Sequence, residues 1–184
     1  MIKTPSDPIA AAAAMAEVDR LIVALSPLAH SANGPSMSHL VYAYLSEATW
    51  WIAGLDEQFC SENPGGEYVV AREASEFGKL IPGILWIRDR ISHQLPSTVV
   101  RDTRSLFEPK PGGVLHISGG YEWLPIEQIR PGRSRPAWER VYREHFERQG
   151  IVVGPARAAS FLRGLLERDP DCATELERIA GLDE

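Results

Sequence analysis

Val41-Tyr42-Ala43-Tyr44-Leu45-Ser46-Glu47-Ala48-Thr49-Trp50-Trp51-Ile52-Ala53-Gly54-Leu55-Asp56-Glu57-Gln58-Phe59 is the stretch that decides the fold. Val41, Tyr44, Leu45, Ala48, Trp51, Ile52, Leu55 and Phe59 recur at spacings of three and four, the repeat that lines up one face of an α-helix. Ser36 or Ser38 supplies a cap before it, and Pro64-Gly65-Gly66 stops the chain after it. A helix of this length with one apolar stripe must bury that stripe against other helices, so its neighbours should be helical too.

They read that way. Upstream, Asp7 before Pro8 is a helix start: a capping acceptor, then a proline at the position where a missing N–H costs nothing. Ala10 to Ala14 favour helix, Val18, Leu21, Ile22 and Leu25 continue one face, and Ser26-Pro27 is expected to end it. Downstream, a helical stretch runs from about Glu67 to Leu80. Pro82-Gly83 kinks or restarts it, and Ile84, Leu85, Ile87, Ile91 and Leu95 carry it to Pro96. At least three long helices should pack as a bundle, with Leu45, Ile52, Leu55, Ile84 and Ile91 in the core. Prolines and glycines then multiply. Val114–Ile117 and Tyr121–Ile126 read as two strands paired across Ser118-Gly119-Gly120, where Gly-Gly tolerates a positive φ, and Pro125 must lie at an edge or strand end. Helix returns near 136–150, 155–168 and 171–180. The expectation is a mainly α, single-domain chain over 1–184. Its parts are a core helical bundle (1–96), a small β-hairpin excursion (97–135) and C-terminal helices (136–184).

Composition narrows the function. Of the 184 residues, 44% are hydrophobic and 24% charged, which excludes a disordered chain. Glu17, Asp19 and Arg20 interrupt the longest apolar run, so no membrane span is expected, and the opening residues lack the pattern of a signal peptide. The composition reads as cytoplasmic. Cys60 and Cys172 are too few for a disulfide framework, and the five histidines are scattered, so no metal site and no cofactor is expected. Phosphate-loop, dinucleotide-binding, zinc-protease and nucleophile-elbow motifs do not occur. The net charge of −6 is unevenly spread: residues 1–80 hold four basic and ten acidic side chains, residues 81–150 eleven and eight, and residues 151–184 four and seven. Only the central part, at +3, invites a polyanion.

That part contains Trp86-Ile87-Arg88-Asp89-Arg90-Ile91-Ser92-His93-Gln94-Leu95, an apolar lead into a dense polar cluster near a helix end. Asp89 and His93 are four apart and share a face, so the carboxylate can orient the imidazole and raise its pKa. Arg88 and His93 lie about 140° apart on an ideal helix, so they meet at one phosphate only if Arg88 sweeps sideways or a second helix completes the site. Arg88 to His93 resembles the Arg-x4–6-His signature of HEPN-domain proteins, with the polar residue usual after the arginine. HEPN domains are small helical bundles, and many are metal-independent ribonucleases of toxin–antitoxin, abortive-infection or CRISPR-associated defence. The resemblance implies an RNA-cleaving homodimer with Arg88, His93 and Asp89 as catalytic residues, a 2′,3′-cyclic phosphate product, and an antitoxin or defence-system partner protein. Leu95 stands where some of these toxins carry a tyrosine that a partner enzyme modifies, so silencing by that route does not carry over.

Charge placement adds Arg90, Arg101 and Arg104 as RNA-binding residues on the rim, with Arg130, Arg133 and Arg135 as further phosphate contacts, and it requires the acidic N-terminal third to face away. The competing reading is a non-catalytic helical binding or antitoxin-like regulatory protein. In it His93 closes a helix and Arg88 and Arg90 serve as surface ion pairs. His145 reads as a packed histidine. Of the adjacent Trp50 and Trp51, one reads as core and the other as lying at a groove or dimer interface.

Overall fold

Seven α-helices and four short strands appear in the computed structural model, which describes residues 2–30, 38–93, 99–102, 107–109, 115–117 and 120–181. The decisive stretch is α2 (Ser38–Glu62). Val41, Leu45, Ala48, Ile52, Leu55 and Phe59 are all buried on it, alternating four and three apart. With Thr49, Ala53 and Asp56 also buried, that is a broad face packed chiefly against two neighbours. Those neighbours are α1 (Pro8–His30) and α4 (Ile81–His93).

Asp7 caps α1 as expected, its carboxylate accepting from the Ala10 N–H at 2.9 Å. Pro27, however, does not end the helix but lies inside it. The proline removes one donor, the one owed to the Val23 carbonyl a turn earlier. Val23 is 72% exposed, so the loss falls on the solvent side of the helix while Leu25 and Ala29 stay buried. The stretch expected as one helix from Glu67 breaks into α3 (Glu67–Ala74) and a 3-10 turn (Gly78–Leu80), and the restart before Pro82 is α4. Gly66 takes the left-handed conformation (φ 86°) that lets α3 begin hard against α2. Leu45, Ile52, Leu55, Ile84 and Ile91 are all buried, as the periodicity predicts.

The strands are present with a different pairing. β1 (Val100–Asp102) pairs antiparallel with β4 (Tyr121–Trp123), and β2 (Phe107–Pro109) with β3 (Leu115–Ile117). Leu115–Ile117 and Tyr121–Trp123 are therefore not partners across Gly119-Gly120. The two pairs are nested instead, and residues 110–114, with Pro111-Gly112-Gly113, join the inner one. Either glycine pair can serve a turn, and local composition does not choose between them. Burial does. Val99, Val100, Tyr121 and Trp123 sit in the same core as the helices, so the outer pair belongs to the bundle and is no detached excursion. Gly120 has φ 146°, and a side chain there would meet the Ala29 carbonyl at 2.5 Å, so β4 enters tight against the end of α1. β4 stops at Trp123, two residues before Pro125, which fixes a 3-10 turn at Ile126–Gln128.

Helices α5 (Pro136–His145), α6 (Val153–Leu166) and α7 (Pro170–Ala180) complete the chain. α5 packs on α4, and α6 and α7 pack on α1. Tyr142 of α5 packs tilted against Trp86 of α4, ring centres 4.3 Å apart, beside the polar cluster. No helix among the described residues is long and apolar enough to cross a membrane.

Candidate functional site

α4 presents its polar cluster in three directions because successive side chains advance about 100° around the axis. Arg88 points to α2. Its Nη1 donates to Glu57 Oε1 at 2.9 Å, and its guanidinium carbon lies 5.3 Å from the centre of the Trp50 ring. Trp50 and Glu57 are seven residues apart on α2, two turns along one face, so the arginine bridges a ring and a carboxylate on that helix. The Arg88 side chain is 20% exposed and Glu57 is 65% exposed. An ion pair so open to water contributes only ~0.2–1 kcal/mol and exchanges readily for another anion.

Asp89 is half-buried and pairs with none of the described residues, so the carboxylate that engages Arg88 is Glu57 and not its sequence neighbour. The Ser92 hydroxyl donates back to the carbonyls of Arg88 (2.9 Å) and Asp89 (3.2 Å), giving the last turn of α4 extra acceptor contacts. His93 is the final residue of α4; its side chain, and the whole of Arg104, lie outside the described residues.

The expected rim is largely engaged elsewhere. Arg90 is 5% exposed. It lies over the Trp86 ring at 4.7 Å and donates from Nη2 to the Arg133 carbonyl at 3.1 Å, fastening the 130–135 loop to α4 instead of standing on a surface. Hydrophobic spacing hides this, because Arg90 shares a side of the helix with Trp86 and the loop that covers it is distant in sequence. Arg101 faces Glu122 across the β1–β4 ladder and its Nε donates to that carboxylate at 2.6 Å. Arg135 lies 4.2 Å over the Trp138 ring. Glu57, which reaches Arg88, comes from the acidic part of the chain. His145 is half-buried on α5.

Two features escape the sequence reading. Trp50 and Trp51 are both half-exposed, at 51% and 40%, so neither is a core residue, and Trp50 leaves an aromatic surface beside Arg88. Trp51 lies just past the edge of the buried α2 face, about 40° beyond Leu55. The second is a buried cluster. Asp56 accepts from Arg72 Nη1 at 2.9 Å and from the Tyr68 hydroxyl at 2.7 Å. Burial, then the Asp56 charge, pushes the Tyr68 hydroxyl far above its ordinary pKa, and the same two causes raise the Cys60 thiol. For Arg72 burial is the largest influence and pulls downward, while the Asp56 carboxylate more than reverses it. These groups tie α3 to α2 and are inert as nucleophiles near neutrality.

Among the described residues no group of three or more His, Cys, Asp or Glu side chains is arranged to hold a metal ion. No family model, no curated protein and no solved structure matches this chain.

Proposed function

We propose that the chain is a metal-independent endoribonuclease of the HEPN type, a toxin or anti-phage defence component that cleaves RNA as a homodimer around the Arg88–His93 face. The observation that carries this reading is the state of Arg88. It is a partly covered guanidinium, 20% exposed, lying over an exposed tryptophan and balanced by an exposed carboxylate that a phosphate can displace. Trp50 beside it offers a ring on which an unpaired base stacks.

In this reading His93 of one protomer accepts the proton of the RNA 2′-hydroxyl as its oxygen attacks the adjacent phosphorus. Arg88 binds the phosphate oxygens and stabilises the charge that grows there. The bond to the 5′-oxygen breaks, that oxygen takes a proton from the second copy of His93, and a 2′,3′-cyclic phosphate and a 5′-hydroxyl remain. Asp89 orients His93. The test is incubation of the purified protein with mixed cellular RNA in EDTA. Wild type should cleave, and Arg88→Ala and His93→Ala should lose cleavage with unchanged circular dichroism. Full cleavage by the double variant refutes the mechanism.

One observation favours the non-catalytic binding or antitoxin-like reading: three of the expected RNA contacts already have intramolecular partners, Arg88 with Glu57, Arg90 with the Arg133 carbonyl and Arg101 with Glu122. On that reading the protein shows no cleavage at all, and Arg88→Ala changes only a modest amount of stability.

A further inference from the structure

Arg90 lies two residues beyond Arg88, about 200° around α4, and so faces the opposite side of the helix. There, α4, the 3-10 turn Ile126–Gln128, the 130–134 loop and α5 enclose a cavity of about 340 Å³. We propose that this cavity binds a small, singly charged organic acid, its carboxylate on the Arg90 guanidinium and an apolar or aromatic body against Trp86, Ile126 and Ile129.

The buried cation is the first reason. Arg90 is 5% exposed and has no carboxylate partner among the described residues; the Arg133 carbonyl takes Nη2, and the Nε–H has no acceptor. Buried charges are as a rule paired, and an unmet donor on a charged group costs more than on a neutral one. A carboxylate supplies the missing counter-charge and accepts from guanidinium N–H groups with fork geometry. The indole N–H of Trp86, in the same wall, is likewise buried without an acceptor.

Charge sets the class of ligand. Arg90, Arg130 and Arg143 line the cavity against Glu127 and Glu139, a net of one positive charge. Arg143 is already paired with Glu127, and that pair is open to water on both sides. A polyphosphate or a nucleic-acid strand would meet the two carboxylates, whereas a monoanion balances the site. Its size, at the small end of the ~300–1,000 Å³ usual for ligand pockets, suits a small molecule. Gly132 shapes the opening: a side chain at that position would run into Arg90 Nη1, so the loop backbone itself lies against the guanidinium. Arg88 does not line the cavity, so the inference stands apart from the ribonuclease reading.

Calorimetric titration of the full chain with 2-naphthoate tests it, with 2-naphthalenemethanol as neutral analogue and inorganic phosphate as plain anion. Saturable binding of 2-naphthoate is expected, with the alcohol and phosphate each at least about tenfold weaker. Arg90→Lys keeps the charge but loses the fork and should weaken naphthoate about tenfold or more. Arg143→Glu, an exposed change that turns the lining net negative, should do the same, and it decides the matter if Arg90→Lys fails to fold. No saturable heat up to millimolar naphthoate overturns the proposal. So does equal affinity for the alcohol or for phosphate, or undiminished binding to the folded variants.

Discussion

Glu57→Gln separates an arginine poised for a ligand from one that merely fastens two helices. The pair it breaks is open, with 65% of the Glu57 side chain and 20% of Arg88 exposed, so the loss of stability should lie within ~0.2–1 kcal/mol. Arg88 keeps its place over the Trp50 ring, a contact that contributes a further ~0.5–1 kcal/mol at an exposed site. Unfolding in urea should therefore show a midpoint shift at the limit of resolution. Binding to RNA should move the other way. A phosphate no longer has to displace the carboxylate, so affinity for a short single-stranded RNA should rise by the same ~0.2–1 kcal/mol, about 1.4- to 5-fold. Its logarithmic salt dependence should steepen by about 0.7 if Arg88 gains one phosphate. Fluorescence anisotropy with a labelled oligonucleotide across a salt series measures both quantities. Glu47→Gln, the same charge change earlier on α2, controls for bulk electrostatics. Equal effects from the two variants, or no gain from Glu57→Gln, refute the role assigned to Arg88.

Three further outcomes follow from the packing. Asp56→Ala strands the buried Arg72 guanidinium and the Tyr68 hydroxyl and should cost about 3–5 kcal/mol, whereas replacing Asp56, Arg72 and Tyr68 together by Leu, Met and Phe should recover most of that loss in urea unfolding. Gly83→Ala, favourable by helix propensity alone, places a methyl 2.5 Å from the ring of buried Phe146 and should lower stability by about 1–3 kcal/mol; a stabilised variant would contradict the close approach of α4 to α5. Asp169 caps α7, and the Thr4 hydroxyl, followed by the Cys172 N–H, holds its pKa below the ordinary 3.8, so its stabilisation is complete above that value and is lost as pH falls through the lowered one. Asp169→Ala should cost ~0.5–2 kcal/mol at neutral pH, and calorimetry should find the gap to wild type closing in acid below 3.8.

The helices were legible because each carries its own periodicity and punctuation. Asp7-Pro8, the apolar face of α2 and Pro64-Gly65-Gly66 need no knowledge of the rest of the chain. What local reading misplaced depends on distant partners. Pro27 reads as a stop, yet the buried Leu25 and Ala29 hold the helix on either side of it. The strands at 115–117 and 121–123 were located but wrongly paired with each other, since pairing follows from which strands share the core with Val99 and Val100. A strand's own residues state its type and not its partner.

The polar end of α4 shows the same division at the level of single residues. Arg88-Asp89-Arg90 reads as one basic cluster, and a string of letters assigns both arginines to one rim. The helix sends them apart: Arg88 to an exposed carboxylate and ring on α2, Arg90 under a loop more than forty residues away. Their energetics differ accordingly. Arg88 has a weak, exchangeable partner and can give it up for a ligand at little cost in stability. Arg90 is buried without a counter-charge, so an anion that reaches it gains a desolvated partner and stabilises the loop in the same step. One helix thus offers anions two unlike sites on opposite faces. Substitution at either arginine should leave ligand binding at the other unchanged, unless α4 itself moves.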